Sequence, residues 1–324
     1  MEQMIKAGII GGAGYTAGEL LRILINHPCV DVSFVHSTSQ AGLPVSDVHE
    51  NLVGETDMVF SAEADLTAVD VVFLCMGHGK SREFWANNIR PENLKLIDLA
   101  QDYRDESEGY VYGLPEWQRE RIRTTSLLAN PGCFATAIQL ALLPLAQAKL
   151  LKHEINVTAI TGSTGAGVKL GATTHFSWRS DNISVYKAFE HQHLKEISRN
   201  LALLADTADV PVINFVPMRG DFARGIFASC FTDCSLPEEE VVALYKAFYR
   251  DAAFTVVSDR NINLKQVTNT NKAIIHVEKH GDKLLILSAI DNLLKGASGQ
   301  AVQNMNLMFG LDENTGLRLK GNAF

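Results

Sequence analysis

Residues Lys6 to Ile10 form a short apolar run that ends in GGAGYTAGEL, after which Leu20, Leu21 and Leu24 recur at helical spacing until His27-Pro28 breaks the pattern. The order is strand, glycine turn, helix. A second run, VDVSFVHS, reads as another strand, and VDVVFLCM and LKLIDL are continuous apolar blocks of the kind a parallel sheet buries on both faces. Lys80 to Ile89, between those blocks, reads as a helix. Buried runs alternating with helices over roughly the first 130 residues predict a Rossmann-type, doubly wound parallel sheet.

Past Leu150 the rhythm changes. NVTAIT, VPVINFV, FTVV and AIIHVE are strand-like blocks joined by longer loops and two helices, which predicts a mixed or antiparallel sheet. Ser235, three residues before Glu238, makes a capping-box pattern ahead of VVALYKAF, and His280-Gly281-Asp282 reads as a hairpin turn. Cys133 to Leu151 is weakly polar but interrupted by Gln139, Pro144 and Gln147, which suits a buried helix rather than a membrane span. The tail GASGQAVQNMNLMFG is rich in small residues at helical spacing, so it is expected to pack closely and to return to the first domain.

At 324 residues the chain exceeds the size at which one core keeps growing, so two domains are expected. A net charge of -8 with scattered Lys and Arg excludes a phosphate-backbone binder but leaves room for a small anionic ligand. MEQMIKAGII lacks the basic start and long apolar middle of a secretory signal, which predicts a cytoplasmic protein. Five cysteines, an odd number, argue against a disulfide framework. Cys29, Cys75 and Cys230 sit in or beside apolar runs and read as small hydrophobes, and Cys230 with Cys234 lacks a second pair at zinc-site spacing.

Gly11, Gly14 and Gly18, with Tyr15 and Thr16 between them, follow the first strand and would let a pyrophosphate approach the backbone at a helix N-terminus, where unpaired N–H groups and the dipole favour an anion; a tight turn with no ligand is the alternative. An NAD-specific site places an acidic residue about 20 residues on, at the end of the second strand. That place reads His36-Ser37-Thr38-Ser39, hydroxyls with no carboxylate to repel a 2′-phosphate, so NADP (NADPH) is favoured. Asn130-Pro131-Gly132-Cys133 then leads from an apolar run into a helix-like stretch. At such a helix start the dipole and free N–H groups lower a thiol's pKa and can hold an oxyanion.

NPGCFATA resembles the NPGCYPTA nucleophile motif of the N-acetyl-gamma-glutamyl-phosphate reductase family, and GGAGYTAGELLRIL, LIDLAQDYR, VYGLPE, GSTGAG, HQHLKEI and AIDNLLKGASGQAVQNMNLMFG follow the same family pattern in order. The matches span nearly the whole chain. The chain departs from the pattern at Ala17-Gly18, which inverts Gly-Ala, at Phe134-Ala135 in place of Tyr-Pro, and at Pro217-Met218-Arg219 where many members have Pro-His-Leu.

The resemblance implies NADPH-dependent reduction of a small acyl phosphate through a thioester on Cys133, with arginine biosynthesis as the setting. His191, the first His of the matched segment and 58 residues (191 minus 133) beyond Cys133, would be the acid–base group, with His193 the competing assignment. Two His at i and i+2 also fit strand-face neighbours or a metal pair, but no third ligand is evident and no metal is expected. Arg104 would face the substrate's phosphate and Arg224 another anionic group. Ser163, Thr164, Gly165 and Gly167 would form a compliant loop beside the nicotinamide, and Asn292 would close the cofactor pocket.

The expected plan is similar to that of glyceraldehyde-phosphate and aspartate-semialdehyde dehydrogenases. Residues 1–132 plus 293–324 form the NADP-binding Rossmann domain. Residues 133–292 form an inserted α+β domain that carries the substrate and the contact of a homo-oligomer, a dimer or tetramer. Aspartate-semialdehyde dehydrogenase is the nearest enzymatic alternative, and a catalytically silent nucleotide sensor the alternative of another class; Cys133, His191 and Arg104 stand against the sensor. The acyl group on the substrate nitrogen, acetyl or succinyl, is left open by the sequence.

Overall fold

The computed structural model describes residues 4–322. In chain order its elements are β1 (Ile5–Ile10), α1 (Tyr15–Leu24), β2 (Val30–His36), β3 (Val71–Leu74), α2 (Lys80–Asn87), β4 (Lys95–Asp98), β5 (Val111–Tyr112), α3 (Pro115–Thr124) and β6 (Leu127–Ala129). They continue with α4 (Cys133–Gln147), β7 (Ile155–Thr161), α5 (Phe176–Arg179), β8 (Ser184–Val185), α6 (His193–Ala205), β9 (Ile213–Arg219), β10 (Ile226–Asp233) and α7 (Glu238–Phe248). The last are β11 (Thr255–Ser258), β12 (Ala273–His280), β13 (Lys283–Ile290) and α8 (Ser298–Met308). Contacts divide the chain into a unit of Met1–Gly132 with Ala297–Arg318 and a unit of Cys133–Gly296 with Leu319–Phe324. No helix of the described residues is long and apolar enough to cross a membrane.

The first unit holds a six-stranded sheet in the order β2-β1-β3-β4-β6-β5, every pairing parallel. All four residues of β3 are buried, as expected of a strand covered on both faces. The helix α8 is buried along its entire length although it carries Gln300, Gln303, Asn304 and Asn306. Buried amides need partners, and the amide nitrogens here find theirs inside the unit, while Gln300 Oε1 and Asn304 Oδ1 make no hydrogen bond. Asn304 Nδ2 donates to the Gly113 carbonyl (2.9 Å) and to Asn130 Oδ1 (3.2 Å), Gln300 Nε2 donates to the Gly113 carbonyl (3.2 Å), and Asn306 Oδ1 meets His27 Nε2 (3.1 Å). The helix α2 ends at Asn87, two residues before the expected Ile89, and its start is fixed by Asp102, which accepts from the N–H groups of Gly79, Ser81 and Arg82.

The second unit holds a seven-stranded mixed sheet in the order β11-β12-β13-β10-β7-β9-β8. Its central run is antiparallel, while β7–β9 and β11–β12 are parallel. The α/β fold class expected from the sequence holds in both sheets. Gly281-Asp282 makes the hairpin turn between β12 and β13, with Gly281 at φ +59°.

Buried from Phe134 to Ala146, α4 runs straight through Pro144. A proline lacks the N–H that would bond four residues back and crowds that turn. The Leu140 carbonyl takes a hydrogen bond from the Tyr249 hydroxyl instead (2.5 Å), and the Tyr245 hydroxyl supplies Ala141 (2.5 Å). The expected capping box does not form. Pro237, not Ser235, precedes α7, no side chain caps it, and the Glu238 carboxylate accepts from the N–H of Lys279 (2.8 Å). Three glutamates in the first turn complement the dipole in place of a cap.

Candidate active site

In the first unit, β1 delivers the chain into a turn whose geometry only glycine tolerates. Gly11 has φ +82°, and a side chain there would strike the Cys75 carbonyl at 2.9 Å. Gly18 faces the His49 ring, whose Nε2 lies 2.7 Å from the Gly12 carbonyl, and an added Cβ would meet that ring at 2.6 Å. The inverted Ala17-Gly18 order therefore has a local cause: His49 braces the turn and needs the space at position 18. Gly14 precedes α1 with no side-chain cap, so the first N–H groups of that helix, at Tyr15 and Thr16, have no protein side chain on them. At the end of β2, Ser37 is buried, Thr38 and Ser39 are exposed, and the hydroxyls of Ser37 and Ser39 lie 3.5 Å apart.

The segment before Cys133 is held rigidly. The Asn130 N–H donates to the Asp98 carbonyl (2.7 Å), and its side-chain amide donates to the Ala297 carbonyl (3.0 Å). Arg104 is buried, giving Nε to the Asn130 carbonyl (2.9 Å) and Nη2 to the Leu99 carbonyl (3.1 Å). The sequence pointed to the substrate's phosphate for this guanidinium, and these two bonds fix its orientation. Asp98, sealed from solvent, is pushed up to about 6 chiefly by burial.

Cys133 is the first residue of α4 and half-buried. Around it, the second unit gathers groups from four separate elements. His191 lies before α6 and is 4% exposed; its ring meets Phe134 (5.5 Å between centroids), Tyr186 (5.8 Å), His193 (4.6 Å) and Phe215 of β9 (5.4 Å). Burial first, then the cations Lys187 and Arg219, push His191 down to about 4, so it is neutral near pH 7. The His193 N–H donates to His191 Nδ1 (3.2 Å), which keeps the ring proton of the neutral form on Nε2. His193 opens α6, with Nε2 3.9 Å from Glu196.

Tyr186 links this group to Cys133. Its hydroxyl is held up mainly by burial and next by the negative charge of a Cys133 thiolate, and it hydrogen-bonds Arg219, whose guanidinium carbon lies 4.6 Å from the centre of the Tyr186 ring. The loop from Tyr186 to His191 is tied to β9 by the Tyr186 N–H on the Pro217 carbonyl (3.1 Å) and the Phe189 N–H on the Phe215 carbonyl (2.8 Å), with Lys187 and Phe189 both at positive φ. Neither Tyr186 nor Arg219 was chosen from the sequence. Desolvation pushes the thiols of Cys75 and Cys230 up to about 12, which makes them inert.

The GSTGAG loop is stitched to the segment after β9. The Ser163 N–H donates to the Phe222 carbonyl (2.8 Å), and the Thr164 hydroxyl donates to the Ala223 carbonyl (2.6 Å). Asn292 is buried, accepting from the Gly225 N–H (2.6 Å) and donating to Thr164 Oγ1 (3.0 Å). Gly165 leaves room beside Thr161, whose hydroxyl an added Cβ would approach at 3.3 Å. Arg224 pairs with the sealed Asp291 through Nε (3.1 Å) and Nη2 (3.3 Å), so its guanidinium is committed to the same stitching.

A nucleotide-type glycine turn on one sheet and a Cys–His–Tyr–Arg cluster on another define a semialdehyde dehydrogenase. Residues 6–125 match the model of the semialdehyde dehydrogenase NAD binding domain, and residues 133–292 match that of the semialdehyde dehydrogenase dimerisation domain. The fold is similar to that of aspartate semialdehyde dehydrogenase II from Vibrio cholerae complexed with ASA, with a TM-score of 0.75 at 16% identity over 95% of this chain and 99% of that one. The chain is also 58% identical to N-acetyl-gamma-glutamyl-phosphate reductase of Phocaeicola vulgatus and 57% identical to that of Bacteroides thetaiotaomicron, each over 99% of this chain and all of the relative. The chain belongs to the N-acetyl-gamma-glutamyl-phosphate reductase family.

Proposed function

We propose that this enzyme reduces N-acetyl-gamma-glutamyl phosphate to N-acetylglutamate semialdehyde with release of phosphate, through a thioester on Cys133, as a step of arginine biosynthesis in the cytoplasm. The observation that carries the reading is the convergence of Tyr186, a neutral His191 and the cation Arg219 around a cysteine at a helix start. Attack forms the bond from Cys133 Sγ to the acyl carbon and breaks the bond from that carbon to the phosphate oxygen. Reduction of the thioester leaves an oxyanion on the same carbon; its collapse breaks the carbon–sulfur bond, frees the aldehyde and returns Cys133 as the thiolate. The N–H groups at the start of α4 face this oxyanion, and His191 donates from Nε2 to the thiolate or the oxyanion. The proton leaves the half-buried Cys133 for solvent before attack, so the nucleophile is the thiolate, and Glu196 orients His193 beside His191.

NADPH supplies the hydride when bound. The first unit fits that dinucleotide: the uncapped start of α1 at Tyr15 and Thr16 suits a pyrophosphate beside Gly11 and Gly14, and Ser37, Thr38 and Ser39 offer hydroxyls to a 2′-phosphate. In the second unit Ser163 and Gly165 would stand beside the nicotinamide, and Asn292 holds their loop in place through Thr164. Arg104 is a positioning residue for the turn that presents Cys133, and Arg224 braces the glycine loop through Asp291.

The enzyme works as a homo-oligomer, a dimer or tetramer, and the exposed apolar side chains of Leu170 (95% exposed), Phe176 (81%), Ile183 and Phe189 in the dimerisation domain are suited to being covered by another copy. The test is NADPH oxidation with N-acetyl-gamma-glutamyl phosphate and with beta-aspartyl phosphate, followed by product analysis. Semialdehyde from the glutamyl compound with little from the aspartyl one is expected. The reverse preference would overturn the assignment, and an absence of turnover with either would return the chain to a nucleotide-binding role.

A further inference from the structure

Arg219 closes β9, and along that strand Phe215, Pro217 and Arg219 share one face because successive side chains alternate. Phe215 on this face touches both His191 and Phe134. Thr161 closes β7 and is the parallel partner of Arg219, so its side chain stands on the same face at the same rung. Both carry a polar atom that is shut off from solvent and makes no hydrogen bond: Nε of Arg219 and Oγ1 of Thr161, the latter on a residue 1% exposed. Buried polar groups are nearly always paired in native structures, so two orphans at one rung point to a missing ligand.

The neighbouring cations are already committed. Arg179 donates to the carbonyls of Thr173, Asn182 and Arg219 and to Ser184 Oγ, Arg224 pairs with Asp291, and Lys187 donates to Gln192 Oε1. Arg219 makes no ion pair with any carboxylate among the described residues. Its guanidinium rests on Tyr186, the residue that feels the charge of Cys133.

We infer that Arg219 and Thr161 form a subsite that grips a carboxylate of the acyl substrate beside Cys133. The inference rests on the reaction proposed above and adds the group that holds its substrate. A carboxylate fits better than the phosphate, because the phosphate departs when Cys133 is acylated, whereas the acyl chain must stay oriented until it is reduced. A guanidinium with an adjacent hydroxyl donates to the two oxygens of such a group. Two carboxylates could fill the place: the one on the glutamate carbon, or one at the end of a succinyl group on the nitrogen.

The experiment is phosphate-dependent reduction of NADP by N-acetylglutamate semialdehyde and by its N-succinyl counterpart, using wild type, Arg219→Met, Arg219→Lys and Thr161→Val. Arg219→Met should raise KM for the semialdehyde roughly tenfold to a hundredfold, as expected for a lost hydrogen bond to a charged group, a larger change than in kcat, with the KM values for phosphate and NADP within about twofold. Arg219→Lys should recover part of the loss, which also covers a Met variant that folds poorly, and Thr161→Val should show a smaller rise. Equal losses with both semialdehydes place the glutamate carboxylate on Arg219, and a loss confined to the succinyl compound places the acyl carboxylate there. A rise in KM for phosphate alone, or an unchanged KM for both semialdehydes, overturns the subsite. An inactive wild type fails the reaction itself, and the subsite with it.

Discussion

The two units handle their polar groups in opposite ways. In the first, polar side chains such as Gln300, Asn304 and Arg104 donate to backbone carbonyls, and the proposed pyrophosphate site consists of uncapped N–H groups at a glycine turn. In the second, the proposed mechanism makes the side chains themselves the reagents: Cys133, Tyr186, His191 and Arg219 are brought from different elements to one place. A backbone site tolerates changes in neighbouring side chains but not in backbone shape, and a side-chain site behaves the other way round. Substitutions in the cluster around Cys133 should therefore alter the chemistry and spare cofactor binding, whereas those at the end of β2 should alter cofactor choice and spare the chemistry.

The sharpest separation is expected for Cys133→Ser. Turnover should fall to a trace because a hydroxyl without a strong dedicated base is a poor nucleophile, while NADPH binding measured by fluorescence titration stays near wild type. A joint loss of both would break the division between units. His191→Asn should lower kcat by roughly 10²- to 10⁴-fold, the range for a positioned acid–base group. If His193→Asn proves the more damaging change, the roles within the pair are exchanged and the Glu196 contact becomes the more important one.

A smaller effect is expected in the first unit. Thr38→Asp places a carboxylate at the exposed end of β2, against a 2′-phosphate and toward the ribose hydroxyls of NAD, and should shift the ratio of kcat/KM for NADPH over NADH by roughly tenfold or more. An unchanged ratio, or a wild type that already prefers NADH, would show that Ser37-Thr38-Ser39 does not read the phosphate. The smallest effect concerns charge. His191 should titrate near 4 by NMR, so it loses its neutral form only well below the ordinary value near 6.5. Removing the cation in Arg219→Met should move that midpoint up by roughly half a unit, and a midpoint near 6.5 in wild type would remove burial as the dominant cause.

How much was legible follows the same division. The parallel sheet could be read because β1, β3 and β4 are continuous apolar runs between helices, and the close packing of α8 because of its small residues. An arginine's partner has no signature of its own: Arg104 binds the carbonyls of Leu99 and Asn130, and Arg224 binds a carboxylate 67 positions away. Tyr186 and Arg219 meet through β8, a two-residue strand with no measurable periodicity, and through loop hydrogen bonds that depend on the finished sheet. The departure at Met218-Arg219 was visible as a break in the family pattern, but its meaning lay in the neighbour across the sheet, Thr161.

The central claim is a covalent acyl group on Cys133, and acid-quenched mass spectrometry tests it most directly. The enzyme is mixed with N-acetyl-gamma-glutamyl phosphate in the absence of NADPH, denatured, and mapped by peptide. One acyl group should appear on the peptide containing Cys133, be removed by hydroxylamine as a thioester is, and be missing from Cys133→Ser. A burst of phosphate with no adduct, or an adduct on Cys29, Cys75, Cys230 or Cys234 in place of Cys133, would contradict the mechanism.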